Sequence, residues 1–275
     1  MTLSDLGQTH KRGVSGYTSK LLKTGQTTQY NDELDDGYYE KGVAKSYTVN
    51  DTGDQSGTTN VDLTHLVSDT GAFTSADKTY TDTGKCGVFK TGGGETIIIS
   101  GSVSNNGTFT TASATADKVV FNETITDEPD PPLTTFKKRE AISNNTVLDN
   151  NTGLTYLRYP SQKMGKFGNG LMPWTGEPYD IFAWASACNE AGVGGYTDWR
   201  VTNVYELIAI CDYEAPNSFP DSTAFPTIIS NIYYTSNTQS NNTTRRHTID
   251  LSNGTISYTA TPTTTYCRVF LVRGG

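Results

Sequence analysis

From Ser240 to Tyr266 the chain is built almost wholly of Thr, Ser, Asn, Tyr, Arg and small residues, chemistry that suits recognition rather than bond-making. Tyr gives large contact area at low entropic cost, and small hydroxyls and amides adapt their hydrogen bonds to what they meet. None of these 27 residues is Lys, Glu, Gln, Met or Trp, although the whole chain holds 13, 10, 6, 3 and 3 of them. Simple proportion would put about 3 in such a stretch. These five types are the ones that base changes at the two adenines of an AAC asparagine codon cannot produce. The stretch therefore reads as an Asn-rich template with its adenines randomised. It lies between two apolar strand-like runs, Ile232-Tyr233-Tyr234 and Val269-Phe270-Leu271-Val272. The plainer alternative is a polar hairpin with ordinary solvent-facing residues.

Residues that carry catalysis or bind metals are scattered. His10, His65 and His247 have no Ser or Cys partner motif, and neither HExxH nor GxSxG occurs, so the chain is not expected to be an enzyme. Cys86, Cys188, Cys211 and Cys267 form no CxxC pair, which argues against zinc and leaves room for one disulfide. Asp32, Glu33, Asp35, Asp36 and Gly37 lack the closing Glu of a calcium loop and read as a solvated turn. Gly92-Gly93-Gly94 is followed by neither Lys-Ser/Thr nor a helix, so it is no phosphate loop. No metal and no cofactor is expected. Arg245, Arg246 and His247 are the one basic cluster of the polar stretch, either attracting an acidic ligand or forming a solvated hairpin tip.

A formal charge of −8 and a pI near 4.9 argue against a nucleic-acid partner, which needs clustered Lys and Arg. No 18-residue apolar run exists, so no membrane insertion is expected. Met1 to Gly13 carries no apolar segment of a secretory signal. The chain then stays inside the cell or leaves by another route, such as assembly into a virion.

The elements that would position the polar stretch come next. A length of 275 residues favours two modules. Residues 1–50 carry short candidate strands such as Ala44 to Val49. From 51 to 127, Thr96-Ile97-Ile98-Ile99, Thr108-Phe109-Thr110 and Val119-Val120-Phe121 alternate with turns and predict a β-rich, sandwich-like module. The acidic, Pro-rich stretch at 128–138 reads as an extended linker. Beyond it, Asn150-Asn151-Thr152-Gly153 predicts a hairpin turn. Ile181, Trp184, Ala185 and Cys188 share one face of a helix over Tyr179 to Ala191, ended by Gly192. Asn203 and Glu206 form a capping box for a second helix with Leu207, Ile208 and Cys211 on its apolar side. Trp184 and Trp199 read as core aromatics, and Asp198 and Arg200 as making a structural ion pair or backbone bonds.

Several motifs here carry a family resemblance: Asp149 to Thr155, Trp184-Ala185-Ser186-Ala187-Cys188-Asn189, Gly195-Tyr196-Thr197-Asp198-Trp199-Arg200, Glu206-Leu207 and Tyr266-Cys267-Arg268-Val269. In order and spacing these resemble the Lcl C-terminal-like domain, a branch of the C-type lectin fold, from Glu140 to Gly275. Leu22 to Thr28 with Lys41 to Ala44 is similar to what precedes that domain in phage proteins, so that 1–50 would join the lectin-like unit. Tyr234 to Arg273 resembles the variable proteins of diversity-generating retroelements, in which an adenine-mutagenised segment ends the fold, and this suggests a virus of archaea or bacteria.

The resemblance implies an α+β fold: a C-type lectin-like domain of two helices and antiparallel strands at 139–275, preceded by the β-rich module, with a variable region at about 235–266. It implies a ligand-binding face of Asn237, Thr243, Thr244, Arg245, Arg246, His247, Thr248, Asp250, Ser252, Thr255, Ser257, Tyr258, Thr259, Thr261, Thr263, Thr264, Thr265 and Tyr266, with Leu251, Gly254, Ile256 and the last strand as scaffold. Cys188 and Cys267 match the pair that C-type lectins bridge. The implied partner is a protein or glycan on a host or other target surface, the implied location is a virion, and homo-oligomerisation is left open. Val201-Thr202-Asn203 replaces the family's usual Leu-Pro-Thr. Glu214-Ala215-Pro216-Asn217 carries an extra residue and no Trp-Asn-Asp occurs, so calcium-dependent sugar binding is not implied. The competing function is a structural tail-fibre or surface component whose Thr/Asn-rich hairpin is merely solvated.

Overall fold

The computed structural model describes residues 42–50, 57–159, 164–165, 169–213, 220–226, 228–229, 231–259 and 265–274. The leader motif, the acidic turn at 32–37 and the segment Glu214 to Asn217 lie outside them. Residues 1–46 fall in one unit and 47–275 in a second, compact one, which holds everything discussed below.

β-branched and aromatic residues dominate the strand segments, as a pleated, half-buried surface favours. Sixteen strands among the described residues make three sheets, beside two α-helices. The fold is thus β-rich, which corrects the expected α+β lectin-like class. Among the described residues the α-helical share is small because only Ile181–Ala191 (α1) and Val204–Ile210 (α2) sustain a helical apolar face, while the Thr-, Val- and Ile-rich stretches pair as strands.

The largest sheet orders its strands β2-β8-β5-β6-β7-β4-β3: Thr58–Ser68, Thr134–Ser143, Thr96–Ser100, Gly107–Ala114, Lys118–Phe121, Thr79–Thr81 and Ala72–Thr74. Four strand spacings separate β4 from β8, about 19 Å in a flat sheet. Yet Tyr80 on β4 and Phe136 on β8 stack with ring centroids 4.5 Å apart, so the sheet curls over a core of Phe73, Tyr80, Phe89, Ile97, Phe121 and Phe136. The stretch read as a linker, 128–138, is corrected by its pairing. Glu128 forms an antiparallel bridge with Phe73, and Thr134 onward is β8, which runs beside β2 from Ser143 to Thr134. Strand pairing is non-local, so the composition of 128–138 could not show it.

Strand β2 couples this sheet to the rest of the chain. Val61 and Leu63, with Ile142 on β8, enter the core formed by Trp184 and Cys188 of α1, Trp199 and Tyr234. A bulge between Thr64 and Leu66 shifts the phase by one residue, so that Leu66 opposite Phe136 faces the same way as Leu63 opposite Lys138. The bulged residue, His65, is buried and stacks on Tyr179 at 5.0 Å. Buried Lys138 sits at the seam between the two cores, 2.8 Å from Glu95 and donating to Gly165 O at 3.2 Å. Desolvation lowers its ammonium pKa below the ordinary lysine value, and Glu95 opposes that pull.

The second sheet orders β1-β9-β10-β16-β11: Tyr47–Asn50, Thr146–Asp149, Thr155–Leu157, Leu271–Arg273 and Arg200–Val201. Alternation sends Tyr156 and Val272 to one core and Leu157, Val201 and Leu271 to the other. The β9–β10 hairpin forms where Asn150 to Gly153 predicts it. Asp149 accepts from Asn151 N and from Thr152 Oγ1, at 2.9 and 2.8 Å, and Gly153 takes φ +75°. The capping box and the stop at Gly192 stand as predicted, while α1 starts two residues later than expected, behind an Asp180 cap that the sequence reading did not single out. Asp180 accepts from Phe182 N and Ala183 N, and Asn203 with Glu206 completes the capping box. Asp198 and Arg200 do not pair with each other: Asp198 accepts from Arg273 at 2.7 Å, and Arg200 grips Glu206 through two bonds of 2.7 and 2.6 Å.

Because β2 serves both cores, Leu63→Ala should cost about 2–5 kcal/mol. It should lower one shared unfolding transition in urea, followed both by tryptophan fluorescence and by far-ultraviolet circular dichroism. Separate transitions for the two probes would show that the seven-stranded sheet folds apart from the rest.

Candidate functional site

The polar stretch forms the outer part of the third sheet, ordered β14-β13-β12-β15: Thr255–Thr259, Asn242–Asp250, Ile232–Gln239 and Arg268–Val269. Strand β12 pairs antiparallel with β13 and parallel with β15. Its neighbours Tyr233 and Tyr234 point to opposite faces and are both buried. Tyr233 joins Ile249, Leu251 and Phe270 in the core beneath α2, and Tyr234 joins the α1 core and donates to Thr265 O at 3.0 Å. Strand β13 still gives Ile249 to the core beneath α2, and it is on β14 that the residues become exposed.

Strand alternation divides the predicted face into two. The register pairs His247 with Tyr258, Thr248 with Ser257 and Asp250 with Thr255. Thr243, Arg245, His247 and Tyr258 therefore share the side of Ile249, while Thr244, Arg246, Thr248, Asp250, Thr255, Ser257 and Thr259 share the other. On this second side lies a cleft of about 330 Å³, lined by Ile232, Thr248, Asp250, Asn253, Thr255, Ser257, Thr259, Thr265 and Cys267, and bordered also by Tyr258, although alternation sends that residue to the other side. Seven of the predicted positions thus meet at one place. Asp250 is the one charged lining residue. Its Oδ1 accepts from Ser252 N and Ser252 Oγ at 2.8 and 2.6 Å, which fixes the turn into β14. Thr259 Oγ1 reaches Thr265 Oγ1 at 3.2 Å across the cleft.

Other predicted positions do structural work. Asn237 accepts from Val204 N at 2.7 Å and so helps to cap α2. The Arg245 guanidinium lies 4.4 Å from the Tyr258 ring centre, and that of Arg246 lies 4.0 Å from Trp174. The basic cluster is therefore held against aromatic faces rather than extended as a hairpin tip. Arg246 also donates to Thr243 O, and Trp174 Nε1 donates to Thr235 O at 2.9 Å. Thr244 donates to Asn242 Oδ1 through both its amide and its hydroxyl. Tyr266 packs on the rim of the α1 core. Thr261, Thr263 and Thr264 lie outside the described residues. Ile232, Asn253 and Cys267 line the cleft without having been predicted. Only the pairing of Ile232 with Asp250 and the crossing of Thr265 to Cys267 over the sheet bring them there, and sequence carries no local sign of either.

The implied bridge between Cys188 and Cys267 is corrected: both are free, buried thiols, as are Cys86 and Cys211. In the α1 core the pair packs as small apolar side chains. Desolvation pushes the Cys267 thiol up to about 11 and Cys188 well above its usual range, so both stay protonated.

Residues 145–273 match the family model of the Lcl C-terminal domain. The matched Lcl region begins just before β9 and ends with β16, so it contains both helices and the whole third sheet. No curated protein and no solved structure gives a match. Among the described residues no group of three His, Cys, Asp or Glu side chains is set to hold a metal ion, and no helix is long and apolar enough to cross a membrane. A larger cavity, about 780 Å³, lies outside the third sheet beside His65, Phe89 and Glu177. Lys85 at its edge donates to Ser68 and Thr70 and pairs with Asp82.

Gly254 holds the turn that carries β14. It takes φ +71°, and a Cβ there would lie 2.8 Å from the Tyr213 ring. Gly254→Ala should cost about 1 kcal/mol or more. Amide exchange along 255–259 should quicken while the β12 amides keep their protection. Unchanged exchange at 255–259 would show that the turn does not position the cleft.

Proposed function

We propose that the chain is a ligand-binding protein whose residues 235–266 form a variable surface, diversified by a retroelement through adenine mutagenesis. The observation that carries this reading is the convergence of Thr248, Asp250, Thr255, Ser257, Thr259 and Thr265 on one cleft of the third sheet. The match of 145–273 to the Lcl C-terminal domain supports it. So does the division of labour within the stretch: Ile249 and Leu251 are buried, whereas Thr255, Ser257 and Tyr258 are exposed; Ile256, expected as scaffold, is exposed as well, because its strand lies at the sheet edge. Substitution of the exposed side chains leaves both cores untouched, so one scaffold can carry many surfaces.

The ligand is a protein or glycan on the surface of a target cell, and the protein acts from a virion. A protein partner at such a face would cover about 800 Å² on each side. The chemistry is recognition by hydroxyls, amides, Tyr and one carboxylate, with no catalytic step.

Sequencing of this gene across its natural population tests the reading. Substitutions should concentrate at adenine-derived codons between Asn237 and Tyr266, spare Ile249, Leu251 and Cys267 to Arg273, and accompany a nearby near-copy of the segment and a reverse transcriptase gene. An even spread of changes, with no near-copy, would leave the stretch as a solvated hairpin of a structural component.

A further inference from the structure

Among the described residues strand β14 ends its sheet. Its sequence, Thr255-Ile256-Ser257-Tyr258-Thr259, is β-branched or aromatic at four of five positions, and Ile256 and Tyr258 are 49% and 47% exposed. An edge strand offers a row of backbone N–H and C=O groups, and proteins normally blunt it with Lys, Pro, charges, bulges or brevity. The other edges of the described sheets follow that rule. β1, β3, β11 and β15 have four residues or fewer, and β2 is bulged at His65 and carries the Asp62–Arg139 ion pair at 2.7 Å. β14 has none of these devices. It also runs along the cleft, to which it contributes Thr255, Ser257 and Thr259.

We infer that β14 is a pairing edge: an extended segment of the target polypeptide adds to it as a fifth strand, joined main chain to main chain, with alternate side chains falling over the cleft. The inference rests on the ligand-binding reading and narrows it to an extended peptide. It also resolves a difficulty of variable surfaces. Backbone pairing is independent of the side chains on β14, so this part of the binding energy survives diversification, while the substituted positions select among partner sequences. Five residues of pairing span about 17 Å.

Charge decides between candidate occupants. A second copy would bring together two chains of formal charge −8, a repulsion that opposes self-pairing. Among the described lining residues the cleft's single charge is Asp250, opposite Thr255, and Arg245 and Arg246 are held against Tyr258 and Trp174. The partner strand therefore places a basic or hydroxyl side chain beside Thr255.

Random 12-residue peptides displayed on phage and selected on the full chain supply the probe. Hydrogen exchange of β14 amides should slow on binding of a selected peptide. N-methylation of that peptide's amides, one at a time, should weaken binding at least tenfold at alternate positions and little between them. Asp250→Asn should weaken peptides that carry Lys or Arg at the paired position. Binders that leave 255–259 unprotected and tolerate every N-methyl group would overturn edge pairing. If alanine substitution at 243–258 still abolished their binding, the ligand-binding reading would stand alone. A selection that yields no peptide protecting β14 would also overturn the inference, as would a sedimenting dimer with β14 protected before any peptide is added.

Discussion

The structure depends on two adjacent tyrosines that cannot share a side. Strand geometry sends Tyr233 and Tyr234 to opposite faces of β12, and each is fully buried, one under α2 and the other against α1. β12 is thereby clamped between two cores, and β15 joins it in parallel from the far side. This clamp lets β13 and β14 extend beyond the cores without a hydrophobic layer of their own on both faces. β13 is tied to the core by Ile249 and takes its order from β12, and β14 takes its order from β13, so the side chains of β14 are largely released from packing.

A similar division recurs at larger scale. The second sheet also lies between the two cores, with Leu271 and Val272 on successive positions of β16 serving one each. The phase shift at His65 lets β2 and β8 run continuously from the curled sheet's aromatic core to the core around Trp184. A one-residue slip would turn Leu66 outward and expose apolar surface at about 25 cal/mol per Å². The seven-stranded sheet is thus built into the same body as the matched Lcl region, and the surface at β13–β14 is carried by the whole of it.

What sequence alone revealed was local. The turn at Asn150 to Gly153, the buried face of α1 and the Asn203–Glu206 capping box each depend on residues within a few positions, and each stands as predicted. The polar stretch was legible by composition, and part of it does gather at one cleft. Its division into two sides was not, because that depends on the register of β13 against β14. Arg245 and Arg246 read as either an anchor for an acidic ligand or a solvated tip, and their stacking on Tyr258 and Trp174 was not legible because those partners are distant in sequence. The linker at 128–138 and the bridge between Cys188 and Cys267 failed for related reasons. Pairing of β8 with β2 and the packing of two thiols in an apolar core are tertiary facts, and the lectin-like α+β class was carried over from resemblance rather than from strand content.

The central claim is that the third sheet separates a fixed frame from a replaceable surface. Deep mutational scanning of positions 232–272, scored by the amount of protease-resistant full chain, tests it most directly. Thr255, Ser257 and Thr259 should accept most residues within about 1 kcal/mol. Tyr233, Tyr234, Ile249 and Leu251 should reject nearly all changes, because truncation there leaves cavities worth about 2–5 kcal/mol. Equal intolerance at both sets would contradict the account, for it would make the cleft residues part of the frame.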